Sequence, residues 1–150
     1  SESLEGMGTT LVILAICNTK GYIANIGDSR AYHIDKSGIR QLTTDHSYIE
    51  ELVRKGTITK EAAMLHPHRN VITRAVGTDP AVMADYITTE IREGDIFLLC
   101  SDGLSNVLKE DEIKDIVISS QSAEEAGDRL LQEANQKGGF DNISVIVVRL

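Results

Sequence analysis

At 150 residues, 41% hydrophobic and with a formal net charge of −8, the chain has the length and apolar content for one substantial core. The acidic balance argues against a nucleic-acid partner, whose phosphates demand clustered Lys and Arg. The longest apolar stretch, LVILAIC at 11–17, is far short of the roughly 20 residues a membrane span needs, and no secretory signal pattern opens the sequence, so the expected compartment is the cytoplasm.

Only 4% of residues are aromatic and none is Trp, so the core must be built from Ile, Val, Leu and Ala, a composition that favours sheet. In chain order, TLVILAIC (10–17), YIANIG (22–27), AYHID (31–35) and IRQLT (39–43) predict four strands, with Lys36, Ser37 and Gly38 turning a hairpin. The reading makes these four consecutive antiparallel neighbours. Between Asp45 and Asp79 the pattern changes to short helices: YIEELVRKG (48–56) stops at a glycine, and KEAAMLH (60–66) follows Thr59, a good N-cap. Two further strands follow, the second being IFLLC (96–100). Ser122 and Glu125 have capping-box spacing and open a helix to about Lys137, with Ala126, Leu130, Leu131 and Ala134 on its apolar face; Gly138 and Gly139 stop it before a last strand, ISVIVV (143–148). Cys17 and Cys100 each close an apolar run and are expected reduced in the core.

Three acidic residues stand at the ends of apolar runs, where loops meet strands: Asp28 in IGDSR, Asp102 in LLCSDGLSNV and Asp141 in GGFDNISVIVV. Hard divalent ions take carboxylate oxygen from converging segments, and glycines beside these residues allow close approach. Each alone fits an ordinary turn or capping aspartate equally well. Two phosphate-handling chemistries lack their signatures here. GMGTT does not have the glycine and lysine spacing that cradles nucleotide phosphates. Position 106, six residues after Cys100, is Asn, where a cysteine-nucleophile phosphatase needs Arg. No zinc spacing or EF-hand loop occurs.

Taken as an ordered set, GMGTT, GDSR, LTTDHS, HPHRNVITRAVG, SDGL and FDNISVIVV resemble the metal-dependent protein phosphatases of the protein phosphatase 2C family, bacterial serine/threonine type, from Gly6 to Val148. The resemblance implies an α+β fold, an α-β-β-α sandwich of antiparallel sheets flanked by helices. It implies hydrolysis of phosphoserine and phosphothreonine by metal-activated water, without a phosphoenzyme, using two and in many members three Mn²⁺ or Mg²⁺ ions. It implies that Asp102 and Asp141 hold one ion of the core pair and that Asp28 with Asp102 forms the third-metal site. Residues 45–79 would be the family's flap, and the partners would be phosphoproteins, substrates of a cognate serine/threonine kinase. His46, His66 and His68 on that flap read as solvated or structural, and Arg74 as a structural ion-pair partner.

The sequence departs from the family ahead of GMGTT. The phosphate-binding Arg and the Asp-Gly segment whose carboxylate bridges the core metals would lie upstream of residue 1, so residues 1–150 are expected to form the C-terminal two-thirds of the domain, truncated on its N-terminal side and inactive alone. Exposed sheet edges should then make the chain self-associate. The alternative is a non-catalytic binding or regulatory module that keeps the fold.

Overall fold

The computed structural model describes residues 6–150; the opening Ser-Glu-Ser lies outside the described residues. Among the described residues, seven strands form two antiparallel sheets. β1 (Leu11–Cys17), β2 (Lys20–Ile26) and β5 (Asp85–Glu90) make a three-stranded sheet in the order β1-β2-β5. β3 (Arg30–Asp35), β4 (Gly38–Gln41), β6 (Ile96–Cys100) and β7 (Val145–Arg149) make a four-stranded sheet in the order β4-β3-β6-β7. The helices are α1 (Tyr48–Arg54), α2 (Lys60–Met64), α3 (Asp102–Ser105), α4 (Glu110–Ser119) and α5 (Ala123–Gln136).

The strand alternation shows how the layers stack. In the four-stranded sheet Tyr32, Ile34, Leu98 and Cys100 face one way, into a core with Leu104, Ile113, Val117, Ala126, Leu130 and Ala134 from the helices. Ala31 and Leu99 face the other way and meet Val12, Leu14, Ile23 and Ile87 of the three-stranded sheet. The central strand β6 is thus buried on both faces, which is why IFLLC reads as continuous apolar sequence instead of alternating, whereas Ile146 on the edge strand β7 is exposed. The outer face of the three-stranded sheet is exposed at Leu11, Ile13, Tyr22 and Tyr86. These are antiparallel sheets flanked by helices, as the sequence implied.

The four N-terminal strands are not consecutive neighbours. β1 pairs with β2 and β3 with β4, but both edges of β2 are occupied, by β1 and β5, and β3 lies between β4 and β6. Residues 27–29 therefore cross from one sheet to the other. Gly27, at φ +103°, makes the crossing possible: a Cβ there would stand 2.4 Å from Thr10 Cγ2. Cys17 is a second correction. It is exposed, because it ends an edge strand on the uncovered face, whereas Cys100 is buried.

The remaining local signals act as expected. Asp35 Oδ1 accepts from the backbone N–H of Ser37 and of Gly38 and closes the β3–β4 hairpin. Ser47 and Thr59 cap α1 and α2, and Gly56 follows α1 at φ +70°. Ser122 Oγ accepts from Glu125 N–H, while the Glu125 carboxylate reaches back one residue further than a standard box, to Gln121 N–H. Among the described residues no helix is long and apolar enough to cross a membrane.

Leu130 has no exposed surface and Leu131, its neighbour on α5, is half-buried. Leu130→Ala is expected to lower the unfolding free energy by about 2–5 kcal/mol, the range for a leucine deletion that leaves a cavity. Leu131→Ala should cost clearly less; urea unfolding of the two variants measures the difference.

Candidate metal centre

The register of the four-stranded sheet aligns the three aspartates. Arg30 at the start of β3 pairs with Cys100 at the end of β6, and Cys100 pairs with Val145 at the start of β7. Asp28 stands two residues before the first, Asp102 two after the second and Asp141 four before the third, so all three belong to one end of the sheet.

Each is held there by its neighbours. Ser29 Oγ lies 2.7 Å from Thr10 Oγ1, and Gly27 accepts at its carbonyl from His46 N–H at 2.9 Å. Asp102 opens α3 directly after Ser101, whose N–H donates to Ser144 O and whose hydroxyl donates to Asn142 O and accepts from Ser144 N–H. Those bonds draw the 141–144 segment onto α3. Gly103 permits the contact, since a Cβ there would meet Asn142 O at 2.3 Å. Ser144 is thereby taken out of the ladder, and the last strand begins at Val145 instead of Ile143.

The electrostatics report the convergence. Burial, then the Asp102 charge, push the Asp28 carboxyl up to about 6. Burial, then the Asp141 charge, raise that of Asp102. Arg30 moderates both shifts, yet its guanidinium is directed elsewhere: it grips Asp45 through Nε (2.9 Å to Oδ1) and Nη2 (2.6 Å to Oδ2), and Nη1 donates to the Tyr32 hydroxyl. Asn106 Nδ2 donates to Asp102 Oδ2 at 3.2 Å and turns that carboxylate. An all-oxygen, like-charged donor set of this kind suits Mg²⁺ or Mn²⁺.

Asp28, Arg30, Asp45, Asp102 and Asn106 line one end of a cavity of about 600 Å³, whose far side is built from α1 and α2. Asp141 lies outside it. Among the described residues, the three-donor group whose atoms all fall within 4.8 Å is a different one: His33, Asp35 and Asp95, at the opposite end of β3. There His33 stacks on Phe97 and Nε2 sits 2.8 Å from Asp95 Oδ2 without an aligned hydrogen bond, while Arg40 Nη2 faces Nδ1 at 3.4 Å. A guanidinium at that place opposes a bound cation, and we read the group as a buried polar cluster.

Sequence reasoning passed over Asp45, and of its two readings of His46, solvated or structural, the burial of the ring fits the structural one. Asp45 adds to the negative field at Asp28 and anchors Arg30. The string LTTDHS carried both. Arg74 forms the expected ion pair, to Asp85 at 2.9 Å. Cys100 is no nucleophile, because burial pushes its thiol up to about 12.

The Asp28 shift fixes a pH dependence. Its folded-state pKa lies above the unfolded value of about 3.9, so the stability it contributes is full below that value and is lost as pH rises through about 6. Asp28→Asn should remove this slope, raising the Tm of the metal-free chain above pH 6 relative to the parent. Added Mn²⁺ should stabilise the parent more than the variant. Thermal melts from pH 4 to 8, with EDTA and with Mn²⁺, check both statements.

Similarity to known proteins agrees with this geometry. A model of the protein phosphatase 2C family matches residues 1–139. The serine/threonine phosphatase stp of Listeria welshimeri is 46% identical over 145 residues, 97% of this chain and 58% of that protein. The crystal structure of the serine/threonine phosphatase Stp1 from Staphylococcus aureus superposes with a TM-score of 0.95 at 40% identity, over 100% of this chain and 59% of that one. The catalytic domain of the serine/threonine phosphatase PstP, solved with 2 manganese ions, gives a TM-score of 0.87 at 36% identity, covering 97% of this chain and 60% of its own. The chain thus spans a little under two thirds of the length of each of these relatives. With the family model covering nearly its whole length and the ordered motifs gathered at one end of two stacked sheets, the chain belongs to the protein phosphatase 2C family.

Proposed function

We propose that the protein to which this chain belongs is a metal-dependent serine/threonine phosphatase acting on phosphoserine and phosphothreonine in proteins phosphorylated by a cognate kinase in the cytoplasm. The observation that carries this reading is the electrostatic chain Asp28–Asp102–Asp141 beside an open cavity. Asp102 and Asp141 would hold one ion, and Asp28 with Asp102 a further one. Mn²⁺ or Mg²⁺ in such a site lowers the pKa of water and neutralises phosphate charge.

The chain's own residues then have separable tasks. Asn106 orients Asp102, as a partner outside the ligand set commonly does. The Arg30–Asp45 pair keeps a guanidinium near the carboxylates without letting it neutralise them by direct contact. The helices α1 and α2 contribute Ile49, Glu50, Val53, Lys60 and Ala63 to the wall of the cavity.

This chain by itself should bind metal weakly and be inactive, because its three aspartates do not form a donor set as compact as that of His33, Asp35 and Asp95. On the same footing, copies of the chain are expected to associate through the exposed Leu11, Ile13, Tyr22 and Tyr86 face, which sedimentation velocity would register.

Mn²⁺-dependent hydrolysis of p-nitrophenyl phosphate and of a phosphothreonine peptide tests the activity, measured on this chain and on the chain extended by its encoded upstream segment. Activity should appear in the extended form and fall by roughly 100-fold or more in Asp102→Ala, since even residues outside the ligand set cost 10–100-fold. A folded, extended protein with no activity would instead leave a binding module that keeps the fold.

A further inference from the structure

We infer that His46 is a positioning residue that holds the Asp28 loop in the conformation required to receive a divalent cation, through the hydrogen bond that its Nδ1 accepts from Gly27 N–H. The inference rests on the reading of Asp28 as a ligand.

The relay is built of direct hydrogen bonds. Gly27 N–H donates to His46 Nδ1 at 3.0 Å, which makes Nδ1 the acceptor and leaves the ring proton on Nε2. Nε2–H donates to Asp85 Oδ2 at 3.0 Å, and Arg74 Nη1, which lies 3.2 Å from the same Nε2, donates to Asp85 Oδ1 at 2.9 Å. The main chain doubles the link: His46 N–H donates to Gly27 O at 2.9 Å, and Thr73 N–H donates to His46 O at 2.8 Å. One buried imidazole therefore ties three segments that are remote in sequence: the 27–29 crossing, the 43–47 loop and the 73–85 stretch.

Position makes this more than a buried polar contact. Gly27 immediately precedes Asp28, and a glycine at φ +103° has backbone freedom that must be restricted if the next carboxylate is to point one way. Both polar groups of the Gly27 peptide frame end on His46. On the other flank, Ser29 is held by Thr10. Without the Nδ1 acceptor, the Gly27 N–H would be left unsatisfied in a buried place, and the loop would relax to pair it elsewhere. The Asp28 carboxylate would move with it.

Two substitutions separate the halves of the relay. In His46→Asn the Oδ1 atom occupies the place of Nδ1 and keeps the Gly27 bond while losing Asp85. In His46→Gln the amide reaches toward Asp85 and the Gly27 bond is lost. The readout is Mn²⁺ affinity of the full chain, from the free-ion signal in electron paramagnetic resonance, with folding checked by circular dichroism in EDTA and Asp28→Asn as control. The expected result is near-parental affinity in His46→Asn and a loss of about 10-fold or more in His46→Gln, both folded. Parental affinity in both variants would overturn the inference, as would equal losses in both, which mark a merely structural histidine. If Asp28→Asn binds Mn²⁺ as the parent does, the reading of Asp28 as a ligand fails and the inference falls with it, an outcome that the control identifies by itself.

Discussion

The lock between the 27–30 crossing and the 43–46 loop is the constraint on which the architecture turns. Arg30 grips Asp45 with two nitrogens, Gly27 is bonded to His46 at both its N–H and its carbonyl, and Ala31 N–H donates to Thr43 Oγ1. The crossing carries the chain from the three-stranded sheet to the four-stranded one, so its geometry sets how the two layers meet. The Arg30 and Asp45 side chains are largely sequestered. Removing one partner of such a pair leaves an uncompensated charge, at a cost of about 3–5 kcal/mol. The lock therefore specifies one arrangement more than it adds net stability.

Holding these carboxylates partly buried and near one another at one sheet end is unfavourable: burial first, and the neighbouring aspartate second, push the Asp28 and Asp102 carboxyls up. What holds them is remote from the charges. Ser101 is bonded to Asn142 and Ser144, and α3 carries Leu104 into the same core as Leu130 and Ile113. Burial of apolar side chains, at about 1.5–3 kcal/mol each, outweighs repulsion between partly solvated charges. The fold thus maintains a concentration of negative charge that a divalent ion would relieve, the arrangement expected of a pre-organised binding site.

Much of this was legible in the residues. The strands and the helices α1, α2 and α5 followed from period-two and 3.6-residue patterns, and the caps at Thr59 and Ser122 sit where short polar side chains precede apolar repeats. The three aspartates were marked by strand-end placement and by the ordered motif set. What could not be read was which strands become neighbours. Four successive strands with short connections look like a meander, and the exchange of β3 for β5 beside β2 depends on a partner about sixty residues away in the chain. Cys17 was misjudged for the same reason: an apolar strand reads as buried whether or not a second layer covers its outer face.

Local chemistry therefore lay in the sequence: where strands and helices begin and end, which side chains carry charge, and which residues suit a hard cation. Periodicity and side-chain type depend on neighbours a few residues away, and the motifs are short. Only the tertiary structure decided that residues 27–29 bridge two sheets, that Asp45 takes the Arg30 guanidinium, and that His46 joins Gly27 to Asp85. Those are contacts between segments whose separation along the chain carries no information about their distance in space, and they arise when burial of both faces of the central strands β3 and β6 brings the loops at their end together.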